Sequence, residues 1–299
     1  MSGVYRARTI KRSRRTRAQI ETLDGQVMGV LTHDHPQSVR HVYYRMTNPR
    51  LAEPVDKTER GYRHVQDRTA KLRRRGRLPY GWITDATRRG YFVSTFHGEA
   101  DFLRRMKHNY RADLWAESSV YCEVWTESRS IAGVIQGDCE ELAVNLYPAG
   151  GFSSITLAFE AAQEINRTAH GRRVMIFYIG DYDPAGVLID VALERELRAH
   201  LRPGIDLTFE RLGITAEQIA EYDLPTKPRK ESDKRAQHVE TTVEAEAMPA
   251  GILRQLLRSR IEELLPARAL EIAQIEEESA RDYLGRLADI IERGSGGDE

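Results

Sequence analysis

Apolar positions in the first third of the chain recur at helical spacing. Ile20, Leu23, Val27, Val30 and Leu31 predict a helix from Arg17 to about Leu31. The run His33-Asp34-His35-Pro36 breaks it. A second helix is expected from Gln37 to Met46 on Val39, Val42, Tyr43 and Met46, and Asn48-Pro49 ends it. A third is expected from Thr58 to Arg75 through Tyr62, Val65, Ala70 and Leu72, with Gly76 as the stop. Leu78-Pro79-Tyr80-Gly81-Trp82-Ile83 then reads as a turn into a short strand. Three helices, a turn and a short β segment predict a winged helix-turn-helix over 17–90.

Phe102, Leu103, Met106 and Leu114 predict a connecting helix over 91–118. The period then changes. Val120–Trp125, Val144–Tyr147, Arg173–Ile179 and Leu207–Leu212 read as strands, with helices at Ser130–Ile135, Ser153–Asn166 and Val187–His200 between them. Strand–helix alternation predicts a parallel α/β sheet over 119–265. Residues 222–242 are polar and read as a surface loop. The rest, Pro249 to Arg293, is helical with a break at Pro266, so 266–299 reads as a C-terminal helix and acidic tail. The fold class expected is α/β.

Composition changes this picture in one respect. Net charge is zero, with 45 Lys and Arg against 45 Asp and Glu. Residues 1–120 hold 25 of the basic and 12 of the acidic residues, so charge is split between the halves. Such asymmetry points to a basic half that meets a polyanion. Residues 1–16 read as a basic, disordered arm. Five basic residues in seven positions, Lys71, Arg73, Arg74, Arg75 and Arg77, close the third helix, where a groove-docked helix would meet phosphates and bases. A solvated helix face is the plainer alternative.

Other classes drop out. Val174–Ile179 is far shorter than the ~20 residues of a spanning helix. The basic N-terminus has no apolar core of a secretory signal. Two cysteines make neither a disulfide framework nor a zinc cluster. A cytoplasmic, nucleoid-associated protein without a membrane partner is expected.

Candidate chemistry lies at strand ends. The apolar strand ending at Ile179 runs into Gly180-Asp181-Tyr182-Asp183-Pro184-Ala185-Gly186. It delivers two carboxylates to the edge where open α/β sheets bind ligands. Paired carboxylates repel unless a cation joins them, and hard oxygen donors suit Mg²⁺. A third carboxylate is supplied by Glu127, just after the first strand. Glu123 competes, but strand alternation puts it on a sheet face rather than at the end.

Together these motifs resemble a known family. A strand ending in Glu, a Gly-containing turn (Gly150-Gly151-Phe152-Ser153-Ser154), and a strand ending in Asp-x-Asp-x-x-Gly resemble the TOPRIM domain. Ser38-Val39-Arg40-His41-Val42-Tyr43-Tyr44-Arg45 resembles the Arg-x-x-Tyr-Tyr motif of the topoisomerase VI A subunit and the related meiotic break-forming transesterase. Glu246-Ala247-Met248-Pro249 is similar to that family's C-terminal region. The resemblance covers roughly residues 17–265. It implies that Tyr44 attacks DNA, that Arg40 sits near the scissile phosphate, and that Glu127, Asp181 and Asp183 hold Mg²⁺. It also implies a homodimer acting on double-stranded DNA and leaving 5′-phosphotyrosyl ends, with a separate ATPase B-type subunit as a possible partner. The choice of Tyr44 over Tyr43 rests on that pattern alone. Two departures stand out: Ser128 follows Glu127 where the family has Lys, and the chain is short for an A subunit. A TOPRIM nuclease using water, and a DNA-binding regulator without catalysis, are the rival expectations.

Overall fold

A computed structural model of the chain describes residues 15–84, 93–150, 155–229, 236 and 239–295. The chain divides into two compact units, Met1–Ile83 and Thr84–Glu299.

The first unit is helical. It contains α1 (Arg17–His33), α2 (Val39–Met46) and α3 (Glu59–Arg74), followed by a 3-10 turn at Tyr80–Trp82. Each helix starts on a hydroxyl cap. Thr16 forms a capping box with Gln19, Ser38 accepts from the His41 N–H, and Thr58 accepts from the Gly61 N–H. Ser38 therefore delays the second helix to Val39, two residues after the expected start. Leu23, Val27, Leu31, Val42, Met46, Val65 and Leu72 are fully buried between the helices. Within that core Arg68 grips Asp24 with two hydrogen bonds, 2.7 Å from Nε and 2.5 Å from Nη2. Burial of both partners makes this pair costly to break from one side. A single parallel bridge joins Gln37 to Ile83. The rest of the expected wing, 85–92, lies outside the described residues, as do 1–14 of the expected arm.

The second unit is α/β. Its strands are β1 (Val120–Thr126), β2 (Asn145–Pro148), β3 (Arg173–Ile179) and β4 (Leu207–Gly213), all parallel, in the order β2-β1-β3-β4. The helices are α4 (Glu99–Met106), α5 (Arg129–Glu141), α6 (Ile155–Thr168), α7 (Gly186–His200), α8 (Ala216–Glu221), α9 (Ala250–Glu262) and α10 (Ala269–Ser295). Trp125, Val174, Ile176 and Tyr178 form one core with Ala158, Ala162 and Ile165 of α6 and Ile189 and Leu193 of α7. Both faces of the sheet are covered, which is why β3 reads as an unbroken apolar run. β1 leads to β2 on one side and β3 lies on the other, so chain direction across the sheet reverses there. The C-terminal edge beside that switch is where such sheets bind ligands.

Two expectations are corrected. The connecting helix over 91–118 is confined to Glu99–Met106 and a 3-10 turn at Lys107–Asn109. Beyond it the chain is irregular because side chains satisfy its backbone and anchor it. Glu277 accepts the Ala112 N–H at 3.2 Å, and the buried Trp115 donates its indole N–H to Leu142 at 2.9 Å. The polar stretch 222–242 is also more than a surface loop. Lys227–Pro228 (β5) pairs antiparallel with Thr241–Thr242 (β6), and Leu224 and Val239 are buried. Residues 151–154, within the expected glycine turn, and 230–235, 237–238 and 296–299 lie outside the described residues. Among the described residues no helix is long and apolar enough to cross a membrane.

Candidate functional site

β1 and β3 are neighbours in register, Thr126 beside Ile179, so the residues after them meet. The Glu127 N–H donates to the Ile179 carbonyl at 2.8 Å, extending the ladder past both strand ends. Glu127 Oε2 accepts the Asp181 N–H at 2.9 Å. Asp183 Oδ1 accepts the N–H groups of Ala185 (2.8 Å) and Gly186 (2.6 Å), which turns the loop into α7. Two glycines are required by close approach. A Cβ on Gly186 would lie 2.2 Å from the Asp181 carbonyl oxygen. One on Gly180 would lie 2.9 Å from Glu127 Oε2 and 2.7 Å from the Tyr178 hydroxyl.

Charge is concentrated in this corner. Loss of water raises the Asp181 carboxyl to about 8, helped by the negative charges of Glu127 and Glu246. Glu127 is also pushed up, first by loss of water and then, against the pull of the Asp181 N–H, by Asp183 and Glu246. Glu246 was visible in the sequence only as part of a regional likeness. Here it is buried, and the Ser128 hydroxyl, which caps α5, donates to it at 3.2 Å. Asp181 Oδ1 accepts the Ala245 N–H at 2.8 Å, tying the segment before Glu246 to the same loop.

Arg211 on β4 is the main cation here, and sequence reading passed over it. Its guanidinium pairs with Asp190 at 2.6 Å and donates to the carbonyls of Gly180, Asp181 and Ile214 at 3.3 Å. It also donates to the Gly186 carbonyl at 2.6 Å, so it holds both ends of the acidic loop. Its one sequence signal was its place beside Glu210 within a short strand, Leu207–Gly213.

The fit of a divalent cation can be weighed from these groups. The donor set is all carboxylate oxygen, which suits Mg²⁺. Mutually raised carboxyls are groups that a cation would stabilise as anions. The Tyr178 hydroxyl is buried beside Gly180 with no hydrogen-bond partner among the described residues. However, no three His, Cys, Asp or Glu side chains converge at ligand geometry among the described residues. Glu127 is tied to the Asp181 backbone by one hydrogen bond, while Asp183 accepts from amides of its own loop. Glu123, the competitor, is fully buried on the α6 face of the sheet. It accepts from the Tyr121 hydroxyl and the Trp125 indole, each at 2.9 Å.

The remaining candidates lie in the helical unit. Tyr44 and Tyr43 are both buried, Tyr44 with 3% exposure, and their rings stand 5.2 Å apart. The Lys57 ammonium lies 5.8 Å from the Tyr44 ring centre. Arg40 is half-buried and stacks over the Tyr62 ring at 4.9 Å. Of the basic cluster, Lys71, Arg74, Arg75 and Arg77 are exposed. Arg73 instead donates to the carbonyls of Tyr80 (2.5 Å) and Ile83 (2.8 Å) and stacks on Tyr80, so it ties the turn to α3.

No protein-family model matches this chain, and no curated protein or solved structure shows significant similarity to it.

Proposed function

We propose that this chain is a Mg²⁺-dependent enzyme that cleaves DNA phosphodiester bonds. One observation supports the reading: Glu127 and the loop carrying Asp181 and Asp183 follow the ends of adjacent parallel strands, beside the switch point of the sheet, with Glu246 buried nearby. In the finer reading the helical unit is a winged helix and the α/β unit a TOPRIM domain. Glu127, Asp181 and Asp183 would hold the cation. When bound, it would neutralise charge that develops on the phosphate oxygens. Lys71, Arg74, Arg75 and Arg77 would hold duplex phosphates. Arg211 keeps the Asp181–Gly186 loop in place.

Two nucleophiles are in question. In the transesterification reading the Tyr44 oxygen attacks phosphorus, the bond to the 3′ oxygen breaks, and a 5′-phosphotyrosyl link forms. Arg40 would lie near that phosphate. The enzyme would act as a homodimer, as a compact relative of topoisomerase VI A subunits, with or without an ATPase partner. That reading requires DNA binding to draw the Tyr44 phenol out of the helical core. Its burial favours the second reading, in which water is the nucleophile and the product is hydrolysed DNA.

Supercoiled plasmid, Mg²⁺ and a denaturing stop separate the readings. A covalent protein–DNA adduct that disappears in Tyr44→Phe is the transesterification result. Cleavage that persists in Tyr44→Phe without an adduct, and is lost in Asp181→Ala, is the hydrolytic result. DNA binding without cleavage would sink the enzyme reading and leave a DNA-binding regulator, and cleavage untouched by Asp181→Ala would sink the acidic corner as the site.

A further inference from the structure

Helix α10 has two unlike faces. On one, Ala288 and Glu277 are buried. Glu277 pairs with Arg111 at 2.9 Å and Arg281 at 2.7 Å, while Arg104 of α4 pairs with Asp289 at 3.0 Å and with Glu292. This face is occupied by the chain's own residues.

The opposite face carries Ile272, Glu276, Ser279, Tyr283, Arg286 and Ile290, all exposed or half-exposed. Their spacing alternates between four and three residues. That is the 3.5-residue period with which one helix packs along another. Ile275 flanks the stripe, and Ile272, Ile275, Tyr283 and Ile290 are 58–64% exposed. A shallow cavity of about 640 Å³ follows the stripe and is walled on one side by Tyr110. The Tyr110 hydroxyl donates to Glu276 at 3.0 Å, which steadies that carboxylate on this face. Arg286 makes no ion pair among the described residues.

We propose that a second copy of this chain covers the face, with α10 packed antiparallel on α10 of the copy about a twofold axis that crosses the stripe at the level of Arg281 along the helix. The sequence of the stripe is complementary to its own reverse. With the axis at Arg281, Ile272 meets Ile290 of the copy, Glu276 meets Arg286, and Ser279 meets Tyr283. Each pair then occurs twice, as an isologous contact requires. The small Ser279 leaves room for the copy's aromatic ring. A parallel alignment would set Glu276 against Glu276 and Arg286 against Arg286, so charge selects the antiparallel one. Glu278 and Asp282 lie along one rim and would meet their counterparts there, a repulsion that salt screens. The stripe is roughly 27 Å long at 1.5 Å per residue. A contact of one helix pair is at the low end of interface sizes, so the dimer is concentration-dependent rather than obligate. This assignment does not rest on the cleavage reading, because association needs neither DNA nor metal.

Sedimentation equilibrium of the full chain, without DNA, tests it. Wild type is expected to dimerise reversibly in the micromolar range. Arg286→Glu sets like charges against each other and should raise the dissociation constant at least tenfold. Glu276→Arg combined with Arg286→Glu restores opposite charges and should return it to near the wild-type value. Tyr283→Ser, at an exposed position, should weaken association with the circular dichroism unchanged. A wild type that stays monomeric to about 100 μM would overturn the proposal. So would a dimer indifferent to Arg286→Glu, or a double variant that remains dissociated.

Discussion

The backbone N–H of Asp181 donates to Glu127 Oε2 at 2.9 Å, joining residues 54 positions apart. A carboxylate from one strand end thus props up the loop of the next, while adding charge beside the Asp181 carboxyl. Groups kept in mutual repulsion commonly lower stability in exchange for function. Glu127→Gln keeps an acceptor for the Asp181 N–H and removes a charge. It is expected to raise stability by about 0.5–2 kcal/mol, seen as a Tm gain of a few degrees, and to abolish the proposed Mg²⁺-dependent DNA cleavage. A large drop in Tm would instead make Glu127 a structural residue.

Glu123 sets a pH dependence of folding. Burial without a cationic partner pushes its carboxyl up to about 7, although Trp125 and Tyr121 donate to it. The folded state therefore binds the proton more tightly than the unfolded chain. The resulting stabilisation is full below about pH 4.5 and is lost as pH rises through about 7, with a span of about 3 kcal/mol. Glu123→Gln cannot ionise; its amide oxygen can still accept from the Trp125 indole, while its NH2 would donate to the Tyr121 oxygen. Urea melts at pH 5 and pH 8 should show wild type losing this increment and the variant holding it. Equal losses in both proteins would count against the assignment.

Arg211 should act on the loop more than on the fold. Arg211→Lys keeps the charge but loses the planar fork that reaches Asp190 and four carbonyls. Hydrogen exchange of the amides over Asp181–Gly186 should quicken about tenfold or more, equivalent to losing one or two hydrogen bonds. Amides inside β3 should keep their protection. Unchanged loop exchange would show that the other bonds to the loop suffice.

The basic cluster should split in two. Alanine at Lys71, Arg74, Arg75 and Arg77 together should weaken duplex binding and flatten its salt dependence by about 0.9 in slope for each phosphate no longer neutralised. Arg73→Ala should leave the slope alone and cost about 1–2 kcal/mol of stability, because its carbonyl bonds hold the Tyr80–Ile83 turn. Binding isotherms across salt, beside melting curves, separate the two. A slope change from Arg73→Ala alone would reverse the assignment.

The elements whose pattern is local were legible along the chain. Helices α1 to α3, the four parallel strands and the break at Pro266 follow from periodicity and caps, which act over a few residues. The placement of Glu127 and Asp181 at sheet ends was legible too, because apolar strands end abruptly at polar loops. The connecting helix was overextended for the opposite reason. The Ala112 N–H bonds the distant Glu277 and the Trp115 N–H bonds the Asp113 side chain in place of helical carbonyls, while the Trp115 indole anchors the segment to the Leu142 carbonyl.

The sequence by itself determined the α/β class, the split of charge between the halves, and which carboxylates end strands. Tertiary structure decided how each side chain is used. It buried Tyr44, turned Arg73 inward, recruited Arg211 and Glu246 to the acidic corner, and left the α10 stripe uncovered. Those outcomes depend on the meeting of distant residues and on water excluded by packing. Neither quantity is carried by the spacing of residues along a single chain.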